Sequence, residues 1–455
     1  MQRTSSTGSD AMERISSQRS LNANNDERQL VERIQSSDSG YQEVLKLMRE
    51  NVNSQVIQLA ALKKLAEKDL NPQELSDIGA NGGFDVIIRG MASHPKEEDI
   101  QFAACRAFWN LSGSVDNQIA IVEAGGVDTL LAAMDTYKDN SSIQEKGMAV
   151  LSNLAAAAEN QDVILASEVI TVVIEGMNKH SENVEVQQTG CAAITNLASH
   201  DLDLKKALVD AGGPGAIVVS MIMHSTDAEL QEKAIRALRN ISANDDDNKV
   251  IVNNVGGIDA IITAMQVHRD EPGVQEAGAW TLSNLAANKD NKEIIGDSGG
   301  IDVIVRAMWV HSEDAAVQEW ACRALWTLSV DETNKQIVID VGGISAVVNA
   351  MHAHAGEGTV QEKGCGVLAN LAANDDNNKV RIVEEEALDA VVMAMVLHTD
   401  NKLVQDRSLS LLKKLACASN IKPMQAANVA ELVMIARDKF PGKCGDKAKH
   451  LLAML

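Results

Sequence analysis

Apolar residues recur along this chain with two nested periods. The short one is three to four residues, as in Leu59, Leu62 and Leu65 or in Leu282 and Leu285, and it predicts amphipathic helices. The long one is 43 or 44 residues. The stretch from Gly256 to Ser298 restarts at Gly299 and again at Gly342, and earlier copies open at Gly125 and Gly212. Each copy holds a Gly-Gly break, an apolar run ending in Met-x-x-His, an acidic loop and a longer run of the form VQExxxxxLxNLA. One copy cannot bury its own apolar stripe, so the copies must stack into a continuous core.

Within a copy the pattern predicts three helices. A short first helix begins at acidic or amide caps such as Asp116-Asn117, Asp247-Asn248, Asp290-Asn291 and Asn377-Asn378. It ends at a glycine pair, which turns the chain sharply into the second helix. Two registers lack the pair, at Ser167-Glu168 and Glu386-Ala387, and altered elbows are expected there. The third helix carries Gln at its second position in nine registers: Gln55, Gln101, Gln144, Gln187, Gln231, Gln275, Gln318, Gln361 and Gln405. Short helices are expected over 26–36 and 41–51, with the first long one over 54–68. Residues 1–25, rich in Ser, Asn and Arg, read as a disordered tail; 26–455 read as the repeat array, with 421–455 a degenerate C-terminal cap.

Composition narrows the setting. Aromatic residues make up only 2% of the chain against 45% apolar overall, so the core is built from Leu, Ile, Val, Ala and Met. A formal charge of −23 argues against a general nucleic-acid-binding role, which needs a basic face. Of the six cysteines, Cys105, Cys191, Cys322 and Cys365 share one position of the third helix and read as small buried apolar residues in a reducing compartment. No run of 18 apolar residues lacks a charge, and the amino terminus shows neither a signal core nor a glycine at position 2.

Three helices per repeat, the stride near 43, the glycine elbow and a third helix ending in Leu-x-Asn-Leu-Ala resemble the armadillo family over 26–455. The resemblance implies an all-α, right-handed superhelical solenoid of about nine three-helix repeats plus a partial C-terminal capping repeat. It also implies that the third helices line a concave groove for an extended peptide.

Import adaptors of this family pair a third-helix Trp, which packs on peptide side chains, with an Asn four residues later, which holds the peptide backbone. Here the Asn position holds Asn110, Asn153, Asn196, Asn240, Asn284 and Asn370, but Lys64, Thr327 and Lys414 in three registers. The Trp position holds Trp once, at Trp280, and otherwise Arg106, Arg236, Arg323 or a small residue. One turn earlier stand Lys146, Lys233, Lys363 and Arg407, so the groove resembles the basic groove of beta-catenin-type members, which receives acidic segments. The alternative is that these are solvated helix cations paired with Glu145, Glu232 and Glu362. A hot spot is expected where Trp280 and Trp320 fall on one face beside Arg236, Arg323, Asn240 and Asn284.

Other residues that look like chemistry do not assemble into any. The repeating histidines, His94 to His398, lie one per repeat and read as helix-end residues facing their own last carbonyls rather than as metal ligands. Acid clusters such as Asp245-Asp246-Asp247 lack the glycine and terminal Glu of a calcium loop. No nucleophile and base recur at a site that breaks the repeat, so neither catalysis nor a cofactor or metal is expected. The expectation is a monomeric scaffold or adaptor, cytoplasmic and also nuclear, that binds protein partners through linear segments. A nuclear-transport-type cargo receptor and a regulatory subunit of an enzyme complex are the alternatives.

Overall fold

The computed structural model describes residues 25–36, 40–67, 71–199 and 201–455. The expected tail lies outside the described residues apart from its last position. Among the described residues every regular element is helical. Two compact units divide the chain, one ending at Ala216 and one beginning at Ile217, within the helix Gly213–Met223.

In the N-terminal unit, helix 25–35 is followed by Tyr41–Glu50 and Gln55–Leu65. Three further triplets end in the third helices Glu98–Leu111, Ser141–Leu154 and Val184–Leu197. In the C-terminal unit the third helices are Ala228–Ser242, Pro272–Leu285, Ala315–Leu328, Gly358–Leu371 and Lys402–Leu415. A last triplet, Ile421–Ala426, Val429–Lys439 and Pro441–Leu452, carries all three helices and is therefore more complete than the partial capping repeat the sequence suggests. Within each unit, neighbouring third helices pack on one another. Their Leu and small residues form the core: Leu282, Leu285, Leu325 and Leu328 have no exposed surface.

The elbows follow from glycine. Gly256 and Gly342 adopt φ of 87° and 81°, a left-handed conformation that side-chain-bearing residues avoid. The second glycine of the pair is required for close approach, since a Cβ on Gly257 would stand 2.6 Å from the Val252 carbonyl oxygen. The helices so joined bend by 67° between Asp246–Asn254 and Gly257–Val267, and by 73° between Glu332–Asp340 and Gly343–Ala353. Of the two glycine-free elbows, Glu386 still takes the left-handed turn at φ 65°, while Glu168 does not, at φ −86°.

Three features of the repeat sit differently from the sequence reading. First, the caps of the first helices lie one turn earlier: Ser114, Asp245, Asn288 and Asp375 accept the free backbone N–H groups. The asparagines at the third helical position face inward. Asn117 donates to the Leu75 carbonyl at 3.1 Å, Asn291 to Lys249 at 3.0 Å and Asn334 to Lys292 at 2.9 Å, each in the preceding repeat. Second, the histidines do not face their own helix ends. Nε2 of His94 donates to the Val52 carbonyl at 2.8 Å, His311 to Arg269 at 2.8 Å and His354 to Ser312 at 2.7 Å, again one repeat back. A carbonyl only accepts, so these rings carry their proton on Nε2.

Third, the recurring glutamine is a buried brace. Gln318 donates to the carbonyls of Met308 at 2.9 Å and His311 at 2.8 Å, closing the loop between second and third helices. In the first repeat that role falls to Gln58, which donates to Met48 and Asn51 at 2.9 and 3.0 Å, not to Gln55. The first register is therefore shifted by three residues, and Glu67 rather than Lys64 stands at its Asn position.

No single helix is long and apolar enough to cross a membrane among the described residues.

Candidate functional site

The shared face of the third helices is set by helical spacing: positions two, five, eight and nine after the glutamine remain at least partly exposed in most repeats, while the leucines between them are buried. On this face four of the six ladder asparagines are already engaged within the chain. Asn110 donates to the Ala66 and Glu67 carbonyls at 2.7 and 3.1 Å, and Asn153 to Ser112 Oγ at 2.8 Å. Asn196 donates to the Ser152 carbonyl at 2.8 Å, and Asn370 to the Trp326 carbonyl at 3.1 Å and Ser329 Oγ at 3.2 Å. These amides tie each repeat to the one before it. Asn240 accepts from Arg239 through Oδ1 at 3.3 Å.

Asn284 is the exception. Among the described residues its side-chain amide makes no hydrogen bond to the chain. The residue 41 positions earlier is Ala243, where Asn153 and Asn370 find the hydroxyls of Ser112 and Ser329. The preceding helix also ends differently, with Ala243 extended at ψ 128° and Asn244 left-handed at φ 61°.

Most of the cations on this face are paired. Lys146 bonds Glu145 at 2.7 Å and lies 4.7 Å from the centre of the Trp109 ring. Lys233 bonds Glu229 at 2.6 Å, and Arg236 bonds Glu232 at 2.7 Å. Arg407 stands 4.0 Å from Glu362, and Lys363 bonds Glu319 of the preceding repeat. Burial by itself raises Glu319, but hydrogen bonds from Lys363 and Thr359 outweigh it and hold the carboxyl below its usual range. Arg106 lies 5.9 Å from the Phe102 ring. The pairing with neighbouring glutamates weighed in the sequence thus holds for Lys146, Arg236 and Arg407, and the face is less basic than its lysines and arginines suggest. Arg323 is exposed and makes no hydrogen bond or salt bridge among the described residues.

The two tryptophans singled out by sequence come together. Trp280 and Trp320 stack with ring centres 3.8 Å apart and planes 7° from parallel. Arg239 covers the outer side of Trp280 at 3.9 Å, and Lys363 approaches Trp320 at 5.3 Å. The result is a cation, two indoles and a second cation drawn from four successive repeats, each contact of a kind worth roughly 0.5–2 kcal/mol. Burial, and then the charge of Arg236, lowers the pKa of Arg239. A parallel arrangement joins Trp326 to Arg407 at 4.8 Å across Gly366. Arg239, Trp109 and Trp326 all stand eight positions after the repeat glutamine. The sequence reading passed over that position, although two of the five tryptophans occupy it.

A stack of three-helix repeats, joined by glycine elbows and presenting one common helix face, defines an α-helical solenoid. The family model described as LRRK2 ARM repeat matches residues 39–439, and the chain belongs to this armadillo-repeat family. No curated protein matches it. Among solved structures it is similar to an engineered protein crystallised by the Northeast Structural Genomics Consortium. That likeness has 26% identity and a TM-score of 0.80, and it covers 91% of this chain and 98% of the other. A second engineered protein from the same consortium shares 28% identity at a TM-score of 0.49, covering 54% of this chain and 96% of its own.

Proposed function

We propose that the chain is a non-catalytic protein-interaction scaffold that holds an extended partner segment across the third helices of its C-terminal unit. The observation that carries this reading is local: Asn284 and Arg323, each without a hydrogen bond to the chain among the described residues, flank the Trp280–Trp320 stack. An extended segment has backbone groups that need a partner such as the Asn284 amide. A carboxylate suits Arg323, and an apolar side chain suits the edges of the half-buried indoles. Because the neighbouring cations already have glutamate partners, the segment needs one well-placed acidic residue rather than an acidic run.

A cargo receptor for basic signals is less well supported, since Thr327 and Gly366 stand where such receptors repeat Asn and Trp. Cys105, Cys322, Cys365, Cys417 and Cys444 are free thiols, which fits the cytoplasm or nucleus. The test is selection of displayed random nine-residue peptides, a length that spans about three repeats at roughly 3.3 Å per residue. Enrichment of sequences with an apolar residue near a single Asp or Glu is expected. Asn284→Ala with Arg323→Glu should abolish their binding while leaving the melting temperature close to wild type. Absence of any enriched motif, or undiminished binding by the double variant, overturns the assignment.

A further inference from the structure

The ends of the second helices carry a second feature, made of other residues than the third-helix face. In the C-terminal unit three successive second helices, Gly213–Met223, Gly257–Val267 and Gly300–Val310, end in large, exposed apolar residues. Ile222 and Met223 are 66% and 46% exposed, Val267 50%, and Trp309 and Val310 48% and 45%. The fold does not require this. In the N-terminal unit the same two slots hold Ala92-Ser93, Asp135-Thr136 and Asn178-Lys179, all equally solvent-facing and mostly polar. Beside Ile222 a cleft of about 380 Å³ opens between two second helices, floored by Ala260, Thr263 and Ala264. Apolar area placed in water at the ends of three consecutive second helices, and again at Val396 and Leu397, against mostly polar residues at those slots in the N-terminal unit, marks an interaction surface.

Charge and spacing specify the occupant. Three to five residues after the stripe the loops carry Asp227, Asp270, Glu271, Glu313 and Asp314. The two arginines on these segments already have carboxylate partners, Arg269 with Asp270 at 3.7 Å and Arg306 with Asp302 at 2.7 Å. The stripe is therefore bordered by net negative charge, which opposes both a second copy of this chain and an anionic lipid surface, and favours a basic partner. Packed helices lie about 8–10 Å apart, so the exposed pairs recur at about that interval along the stack. An α-helix rises about 10.5 Å in seven residues and can set one apolar residue against each repeat. A strand places same-face side chains about 6.6 Å apart and falls out of step after one.

We propose that the second helices of this unit bind an amphipathic helix with heptad-spaced apolar residues and lysine or arginine on its flanks, laid along the stack over Ile222, Val267 and Trp309. The probe is a fluorescent 21-residue peptide with leucine at the first and fourth positions of each heptad and lysine in its remaining charged positions, paired with a counterpart carrying glutamate there. Anisotropy should report saturable one-to-one binding of the lysine peptide, weakened by salt, and at least tenfold weaker or no binding of the glutamate peptide. Ile222→Glu, Val267→Glu and Trp309→Glu together should weaken the lysine peptide at least tenfold. These side chains are exposed, so helix content and melting should not change. Asp135→Asn with Lys179→Ala, on the N-terminal unit's equivalent slots, should have no effect.

Equal binding by the triple variant and wild type would reduce the effect to bulk charge and overturn the proposal. So would a wild-type dimer in sedimentation that the triple variant dissociates, because the stripe would then join two copies. Capture by phosphatidylserine vesicles with no peptide binding would overturn it in favour of a membrane.

Discussion

Gly366→Ala puts the tryptophan packing of the third-helix face to a test in which the sign of the effect carries the answer. Glycine inside a helix costs roughly 0.5–1 kcal/mol relative to alanine, so on backbone grounds the substitution stabilises. A Cβ at this position, however, would stand 2.7 Å from Cδ2 and Cε2 of Trp326 and 3.0 Å from its Nε1. Comfortable carbon contacts are about 3.5–4.0 Å, so the indole must move by about an ångström or swing out. Either movement disturbs its contact with Arg407, 4.8 Å from the ring centre. Overpacking of this kind costs about 1–3 kcal/mol, which exceeds the helix-propensity gain. The expected net effect is a loss of about 1 kcal/mol. In a Trp326→Ala background the three atoms nearest the new methyl group are gone, and the same change should stabilise by roughly 0.5–1 kcal/mol. A repeat array need not unfold as one two-state unit. The assay is therefore denaturant unfolding by circular dichroism, joined with hydrogen exchange on the helix Gly358–Leu371. Stabilisation in both backgrounds, or the same loss in both, would refute the packing argument.

Lys447 bonds the Asp406 carboxylate, whose side chain is only 3% exposed, at 2.5 Å, so Lys447→Met should cost about 3–5 kcal/mol and speed hydrogen exchange in Val429–Lys439 and Pro441–Leu452 first. Burial pushes the Cys105, Cys322 and Cys365 thiols up to about 12, so a thiol-specific reagent should modify the partly exposed Cys417 in the native chain long before these three, and a native Cys365 that reacted as fast would disprove the packing around it. Because Glu319 titrates lower in the folded chain than its unfolded value of about 4.3, its bonds to Lys363 and Thr359 stabilise above that value and are lost as the pH falls through the folded one. Wild type should then lose more thermal stability than Lys363→Met on acidification from pH about 6 to 3, and equal losses would remove Glu319 from the account.

The period and the elbows were readable because glycine pairs and leucine spacing are local signals that repeat in phase. The uses of the polar side chains were not, because each depends on a partner about 42 residues away. Asn153 looks like a peptide-binding residue until Ser112 is found within reach, and Asn284 differs from it through Ala243 and the altered helix end there. The proximity of Ser112 and Ser329 to the next repeat's asparagine was a usable signal, at a separation of 41 residues. The first register failed for a different reason: both Gln55 and Gln58 offered themselves, and only the distance back to Met48 selects the second. Trp280 and Trp320 were legible as a shared face, while Arg239 at one end of their stack was hidden by standing at a position not associated with recognition.

Among the described residues most side-chain bonds between repeats run one way, the exceptions being Arg49 to the Asn81 carbonyl and Ser345 to Glu385. Asn117, Asn291 and Asn334 from first helices, His94, His311 and His354 from second helices, and Asn110, Asn153, Asn196 and Asn370 from third helices each donate to a group in the repeat before. The acceptors are mostly backbone carbonyls, whose positions are fixed once the earlier repeat has formed. As the chain leaves the ribosome, each finished repeat therefore presents a ready template, and the next repeat brings the matching donors on side chains that can still rotate to find it. Growth in the direction of synthesis is the direction in which most of the polar fittings close.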